Sequence, residues 1–412
     1  MHRLLFLEPG HFHATLTLRV PNPLVADEIV VYAPEDGERR DFLALVERFN
    51  HRASNPTRWR VDAVTAADAC ARLIEEHRGD VVVLAGRNGG KARTIRRLHD
   101  AGFHVLADKP WLVGADDLAD VRAGLAGPPL AMEIMTGRHD VAARLLKRVV
   151  DAPRVFGEFR TDGAAIETAS VHHLEKLVDG APLRRPWWYF DVRVQGSGVV
   201  DIPTHLVDQS QWLAERATPG AHPELLRARV WSTHVPLDSF RRMTGEARVP
   251  AELRPIVYGD MLDYRCNAQL EYRIGGVTTR ASARWEVSLP AGGGDTSRLI
   301  AHGTRADVWR EQSADTGYRR RLFVAVHDRD PRALVDLVDG WHAEFPGVTL
   351  KAARAGQWEI TIPPGLDAGH EAHFALVLDT FLCAIDEECW PADIADRALA
   401  KYTLLAAAAA SV

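Results

Sequence analysis

The first third of the chain alternates between short apolar runs and longer stretches with helical spacing. Residues 3–7 form one apolar run that stops at Pro9 and Gly10, and Glu28-Ile29-Val30-Val31-Tyr32 forms a second that stops before Pro34 and Gly37. Asp80-Val81-Val82-Val83-Leu84-Ala85 is an unbroken β-branched run, and Phe103-His104-Val105-Leu106-Ala107 is a fourth. Strands that are covered on both faces read this way, because neither side needs a polar residue. Between them, 11–20, 41–49, 66–77 and 91–101 repeat apolar positions at helical intervals. The resulting β-α-β-α-β order predicts a doubly wound parallel sheet.

Near residue 130 the pattern changes. Helical spacing recurs at 139–150 and 202–215, and strand-like stretches follow at 226–235, 266–274, 277–287 and 357–362. The reading is two domains, 1–130 and 131–412, the second of α+β type. Residues 244–255 and the glycine-rich 290–298 are expected to be loops. The alanine run 406–410 is expected to be a fraying helix end, and no internal repeat is apparent.

A chain of 412 residues exceeds what one hydrophobic core usually supports, in agreement with two domains. With 50 basic and 56 acidic residues and no long basic run, the chain lacks the electrostatic footprint of a nucleic-acid binder. Cys70, Cys266, Cys383 and Cys389 are scattered without a C-x-x-C pair, so reduced thiols in a cytoplasmic setting are expected. Leu4-Leu5-Phe6-Leu7 is too short for an export signal, and no apolar run approaches the ~18 residues of a membrane span.

Four segments carry candidate chemistry. Glu8-Pro9-Gly10-His11-Phe12-His13 follows the first strand, where a dinucleotide fold places its phosphate loop. A lone glycine there also suits an ordinary tight turn. His11 and His13 are spaced to share a metal, but no third ligand is in view, so no metal is expected. Gly102-Phe103-His104-Val105-Leu106-Ala107-Asp108-Lys109-Pro110 delivers Lys109 to the carboxyl end of a buried strand, either into a ligand crevice or onto the solvated strand end. Gly196-Ser197-Gly198 leads to Asp201, His205 and Asp208 at spacings that put them on one helix face. That arrangement suits a general base, a surface ion-pair face, or, for Asp201, a helix cap. His172, His173, Arg184, Arg185, Trp187, Trp188, Tyr189 and Arg193 mix rings with hydrogen-bonding groups. This is the combination that recognises a sugar, although the tryptophans equally suit a core.

The two ordered segments, Gly102–Pro110 and Gly196–Asp208, resemble the motifs of the Gfo/Idh/MocA oxidoreductases, and within them the members with a putative oxidoreductase C-terminal domain. The resemblance runs the length of the chain and includes the stretch from His370 through Phe381 and Ile385 to Asp393. It implies an N-terminal Rossmann domain followed by an α+β domain with a large, mostly antiparallel open sheet. It further implies NAD as cofactor, with NADP the alternative, and a carbohydrate-like small molecule as substrate. Lys109, Asp201 and His205 would be catalytic. Pro9, Gly10, His11, Phe12, Asn88, Asp108, Lys109 and Pro110 would line the cofactor, and His173, Tyr189, Arg193 and Asp208 the substrate. Arg87 would reach phosphate or substrate, and Glu35 or Asp36 the ribose. A homo-oligomer, dimer or tetramer, is implied through the open sheet face near Trp231, Trp285 and Trp309.

The chain departs from that family at the phosphate loop, where Glu8-Pro9-Gly10-His11-Phe12-His13 replaces G-x-G-x-x-G. Three functions remain in view: a net dehydrogenase or reductase on a secondary hydroxyl, a redox-assisted glycosidase that recycles its NAD, and a non-catalytic ligand sensor.

Overall fold

The computed structural model describes every residue except 179–180, 355, 368 and 388–391. The chain forms two compact units, Met1–His139 with Ala368–Ala406 and Asp140–Asp367 with Ala407–Val412. The division falls after His139 and the chain later returns to the first unit, so the boundary expected at 130 is corrected.

Unit 1 holds a six-stranded sheet of β1 (Leu4–Leu7), β2 (Glu28–Tyr32), β3 (Arg60–Val64), β4 (Val81–Leu84), β5 (His104–Asp108) and β6 (Ala131–Ile134). Every pairing is parallel, in the order β3-β2-β1-β4-β5-β6. The strand order reverses between β1 and β4, the position at which doubly wound sheets open a ligand crevice at their carboxyl ends. The crossovers are α1 (His13–Leu16), α2 (Gly37–His51), α3 (Ala69–Glu76), α4 (Lys91–Asp100) and α5 (Leu118–Gly124). Asp36 and Asp68 fix the starts of α2 and α3 by accepting from Arg39 N and Ala71 N at 2.9 and 2.8 Å.

Three features differ from the sequence reading. The helix expected over 11–20 is the single turn α1, because Pro21 and Pro23 lack amide donors and the chain turns away. Edge strand β3 went unread because Arg60, Asp62 and Ala63 are exposed and break the apolar run. Strand β6 was missed for its brevity.

Unit 2 begins with α6 (Val141–Val150) and β7 (Ile166–Glu175), followed by the two-residue pair β8 (Leu177–Val178) and β9 (Ala181–Pro182). Next come α7 (Val192–Gln195), α8 (Pro203–Ala214), β10 (Pro223–Pro236), α9 (Leu237–Thr244), β11 (Val257–Tyr258), β12 (Met261–Ile274) and β13 (Val277–Ser288). The remainder is β14 (Thr296–His302), β15 (Ala306–Gln312), β16 (Arg321–Val326), α10 (Arg332–Asp339), β17 (Thr349–Arg354) and β18 (Gln357–Thr361). These strands build one sheet in the order β10-β12-β13-β7-β14-β15-β16-β18-β17, with β11 on β12. All its pairings are antiparallel except β13 with β7. The α/β architecture, a Rossmann-like parallel sheet followed by a large, mostly antiparallel one, is therefore as expected. Helix α8 packs on β7, β12 and β13, and α6 on β15 and β16. Trp285, expected on the open face, is instead buried in a cluster with Trp188, Tyr189, Phe190, Phe240 and Tyr264.

The chain then returns to unit 1 through α11 (His373–Asp386) and α12 (Ala392–Ala410). Phe374, Val377, Leu378, Phe381 and Leu382 of α11 share one core with Leu4, Phe6, Val81, Val83 and Leu106. The end of α12 is not frayed: Ala406 and Ala408 are buried. No described helix is long and apolar enough to cross a membrane. Cys70, Cys266 and Cys383 carry no disulfide, and Cys389 lies outside the described residues.

Candidate functional site

In unit 1 the candidate residues gather at the carboxyl ends of β1, β4 and β5. After Leu7 the backbone turns at Glu8, whose φ of 43° lies in the left-handed region that glycine tolerates best. The turn is tied down on both sides: Glu8 N donates to Tyr32 O at 2.9 Å and His11 N to Ala85 O at 3.0 Å. Gly86 is required beneath it, since an added Cβ would lie 2.6 Å from Glu8 O. Burial pushes the Glu8 carboxyl up from its ordinary value, partly offset by Arg87.

Asp108 ends β5 and is buried. Its carboxylate accepts from His13 Nδ1 at 3.0 Å to each oxygen, and His11 Nδ1 lies 3.1 Å from Oδ2. Burial alone would raise this carboxyl, but the neighbouring His13 and His11 hold it well below the usual range. Burial pushes the His13 imidazole down to about 4, against the attraction of Asp108. Behind the pair, the buried Lys91 donates to Asn88 Oδ1 at 2.6 Å and to Asp108 O at 3.0 Å. Burial lowers its ammonium to about 8, with the charge of Asp108 opposing and that of Lys109 adding. Lys109 is half-buried, and its charge also acts on His13. The peptide joining it to the buried Pro110 is cis.

The loop thus unites Pro9, Gly10, His11, Phe12, Asn88, Asp108, Lys109 and Pro110 around one strand-end region of unit 1. The ribose candidates are otherwise engaged: Asp36 caps α2, and Glu35 lies 3.6 Å from Arg39. Glu38, which the sequence reading overlooked, leans over Gly10 instead, where an added Cβ would meet its Oε2 at 2.2 Å, and it pairs with Arg87 at 2.7 Å. Also overlooked as site residues are Phe374, whose ring is tilted against that of His13 with centroids 4.5 Å apart, and His370, which lies beside Phe374 at 5.4 Å. A full helix at α1 would have supplied a dipole for phosphate, and a single turn does not.

In unit 2 the second motif surrounds the start of α8. Gly198 passes so close to β12 that an added Cβ would lie 2.5 Å from Cys266 C and 2.6 Å from Asn267 C, which explains the glycine. Pro203 occupies the first turn of α8, and Ile202, not Asp201, holds the cap position, so the capping role is corrected. Asp201 and Asp208 are buried and His205 is half-buried. Burial raises the Tyr189 hydroxyl beyond its ordinary range; Arg185 opposes the shift and Asp201 adds to it. The Arg185 guanidinium lies 4.6 Å above the Tyr189 ring and 5.3 Å from that of Trp285.

His173 is buried with Nδ1 3.0 Å from Asp295, which also accepts from Lys176 at 3.0 Å. Burial would raise Asp295, but His172, Lys176 and His173 together lower it. Arg193 is not brought to this cluster. Its guanidinium forks onto Asp191 at 2.9 and 2.7 Å and donates to Glu252 O at 3.2 Å, a role in holding the loop.

Residues 145–412 match the family described as the putative oxidoreductase C-terminal domain. A crystal structure of a putative oxidoreductase from Parabacteroides merdae superposes with a TM-score of 0.95 at 34% identity, covering 100% of this chain and 98% of that one. Two more distant structures share the fold. Levoglucosan dehydrogenase in complex with NADH and levoglucosan gives a TM-score of 0.60 at 15% identity, covering 99% of this chain and 97% of its own. A 3-ketoreductase from Actinomadura kijaniata in complex with NADP gives 0.59 at 15%, covering 98% and 96%. A nucleotide-binding protein of Anaeromyxobacter dehalogenans is 36% identical over 88 residues, so the match spans only 28% of that relative and 21% of this chain. With the family match covering well over half its length, this chain belongs to the putative oxidoreductase C-terminal domain family.

Proposed function

We propose that this oxidoreductase-family chain is a Gfo/Idh/MocA-type enzyme that uses NAD or NADP to act on a secondary hydroxyl of a sugar, polyol or glycoside. The observation that carries the reading is the convergence of Lys109, Asn88 and the Gly10 turn at the switch point of a parallel sheet, in a fold shared with a dehydrogenase that holds NADH and levoglucosan. The residues fit a nucleotide. Bare backbone at Gly10 and Gly86 leaves room for close approach, and Glu38 beside Gly10 is an acid of the kind that accepts a ribose hydroxyl.

Bound there, the nicotinamide supplies the hydride acceptor. In unit 1, Lys109 is the group that would polarise a reacting hydroxyl oxygen; in unit 2, His205 is the candidate base for its proton, with Asp201 four residues before it. His173, Tyr189 and Asp208 shape the substrate site. Hydroxyl proton and carbon-bound hydride leave to different acceptors, and no covalent intermediate is needed.

Calorimetric titration with NAD and NADP, followed by the absorbance of reduced nicotinamide over a panel of sugars and polyols, tests the reading. Binding of one nucleotide and its reduction by at least one substrate is expected. Absence of nucleotide binding overturns it. Lys109→Ala is expected to lower kcat by about 10²–10⁴-fold with nucleotide binding retained. An unchanged kcat removes Lys109 from catalysis.

A further inference from the structure

We propose that His11, His13 and Asp108 form a binding site for a first-row divalent transition ion of the zinc class, with at least one coordination position left open to an oxygen ligand. The sequence offered the two histidines and no third partner; the fold supplies it, bringing Asp108 from 95 residues beyond His13. One ligand atom from each side chain lies within 4.8 Å of the others.

Two of the three separations are close to those of a coordination shell. His13 Nδ1 stands 3.0 Å from the Asp108 oxygens and His11 Nδ1 3.1 Å from Oδ2. Ligand atoms around a tetrahedral ion with bonds of about 2.0–2.2 Å sit roughly 3.3–3.6 Å apart. The two rings stand edge-on with centroids 4.1 Å apart, so both present the same nitrogen to one carboxylate without stacking.

Two imidazoles and one carboxylate are the donor set that borderline divalent ions prefer, and three protein ligands leave a position for water or substrate oxygen. The side that opens is identifiable: the His11 side chain is 32% exposed, whereas those of His13 and Asp108 are 14% and 4% exposed. The deeper ligands are held in place by second contacts. Lys91 donates to the backbone carbonyl of Asp108 and so fixes the strand end that carries it, and Phe374 packs on the His13 ring.

The site shares His11 and Asp108 with the residues expected to line the cofactor, so the metal is tested first with neither nucleotide nor sugar present. Chelator-treated full-length protein is titrated with zinc ion alone by calorimetry, and with cobalt ion alone by visible absorption, in which a tetrahedral site gives intense bands. One equivalent of zinc, and cobalt bands typical of nitrogen and oxygen ligands, are expected. His11→Ala, chosen because the residue is the most exposed of the three, should weaken zinc binding by more than the roughly 10–100-fold that a merely supporting residue costs. His302→Ala, a histidine of unit 2, should leave it unchanged. No stoichiometric zinc, or equal affinity in wild type and His11→Ala, overturns the site. Nucleotide titration of the same chelated protein separates this outcome from failure of the proposed function.

Discussion

Each unit buries an aspartate between two basic residues, and the pairs teach different things. In unit 1, Asp108 meets His11 and His13, whose rings can give up a proton, rotate, or exchange the carboxylate's hydrogen bonds for a metal. In unit 2, Asp140 caps α6 through Ala143 N at 2.8 Å and accepts from Arg310 at 3.2 Å and Arg320 at 2.5 Å. A guanidinium does not deprotonate, and Arg310 is itself buried, so this cluster has only one charge state in which it is satisfied. The first arrangement is adaptable and sits at the carboxyl ends of parallel strands; the second joins a helix to a sheet.

The largest effect that separates them is the loss of charge at each aspartate. Asp140→Asn strands Arg310 without a full counter-charge and is expected to cost about 3–5 kcal/mol in denaturant unfolding of unit 2. Asp108→Asn should cost less, about 1–3 kcal/mol, because the amide oxygen can still accept from the His13 ring. Equal costs would erase the distinction.

Acid titration sharpens it further. Burial alone would raise the Asp140 carboxyl, but Arg310 and Arg320 hold it at about 2, below its ordinary 3.8. Its contribution is therefore complete above that ordinary value and lost as pH falls from about 4 towards 2. Unfolding midpoints followed over this window should show a loss of roughly 2 kcal/mol, absent in Asp140→Asn. The smallest effect is expected at Arg320, whose side chain is 36% exposed. Arg320→Ala should cost only about 0.2–1 kcal/mol, so a large loss would mean that Arg310 alone does not hold Asp140.

Legibility followed burial. Strands β1, β2, β4 and β5 were readable because both faces are covered and their residues are continuously apolar. In unit 2, β7 and β15 mix Glu167, His172 or Asp307 with buried neighbours such as Ile166 and Val308, and such interrupted apolar runs gave no clear signal. The motif lysine, the glycines and the His205 helix were visible because each lies within a few residues of a turn or helix start. Glu38 was overlooked because the acids before it were the conventional candidates, and its place over Gly10 depends on how α2 leaves β2.

What the sequence determined by itself was local: the parallel strands, the α8 helix, the glycine at 198 and the two-histidine turn, all set by periodicity, backbone freedom and chain-neighbour spacing. Tertiary structure alone decided which distant groups meet. The β1 turn and the end of β5 converge only because β4 lies between their strands, which brings Asp108 to His11 and His13. Arg310 and Arg320 reach Asp140 from 170 and 180 residues away. Polar partners of this kind leave no periodic trace, since one hydrogen bond or ligand distance is fixed by the packing of whole elements and not by the residues beside it.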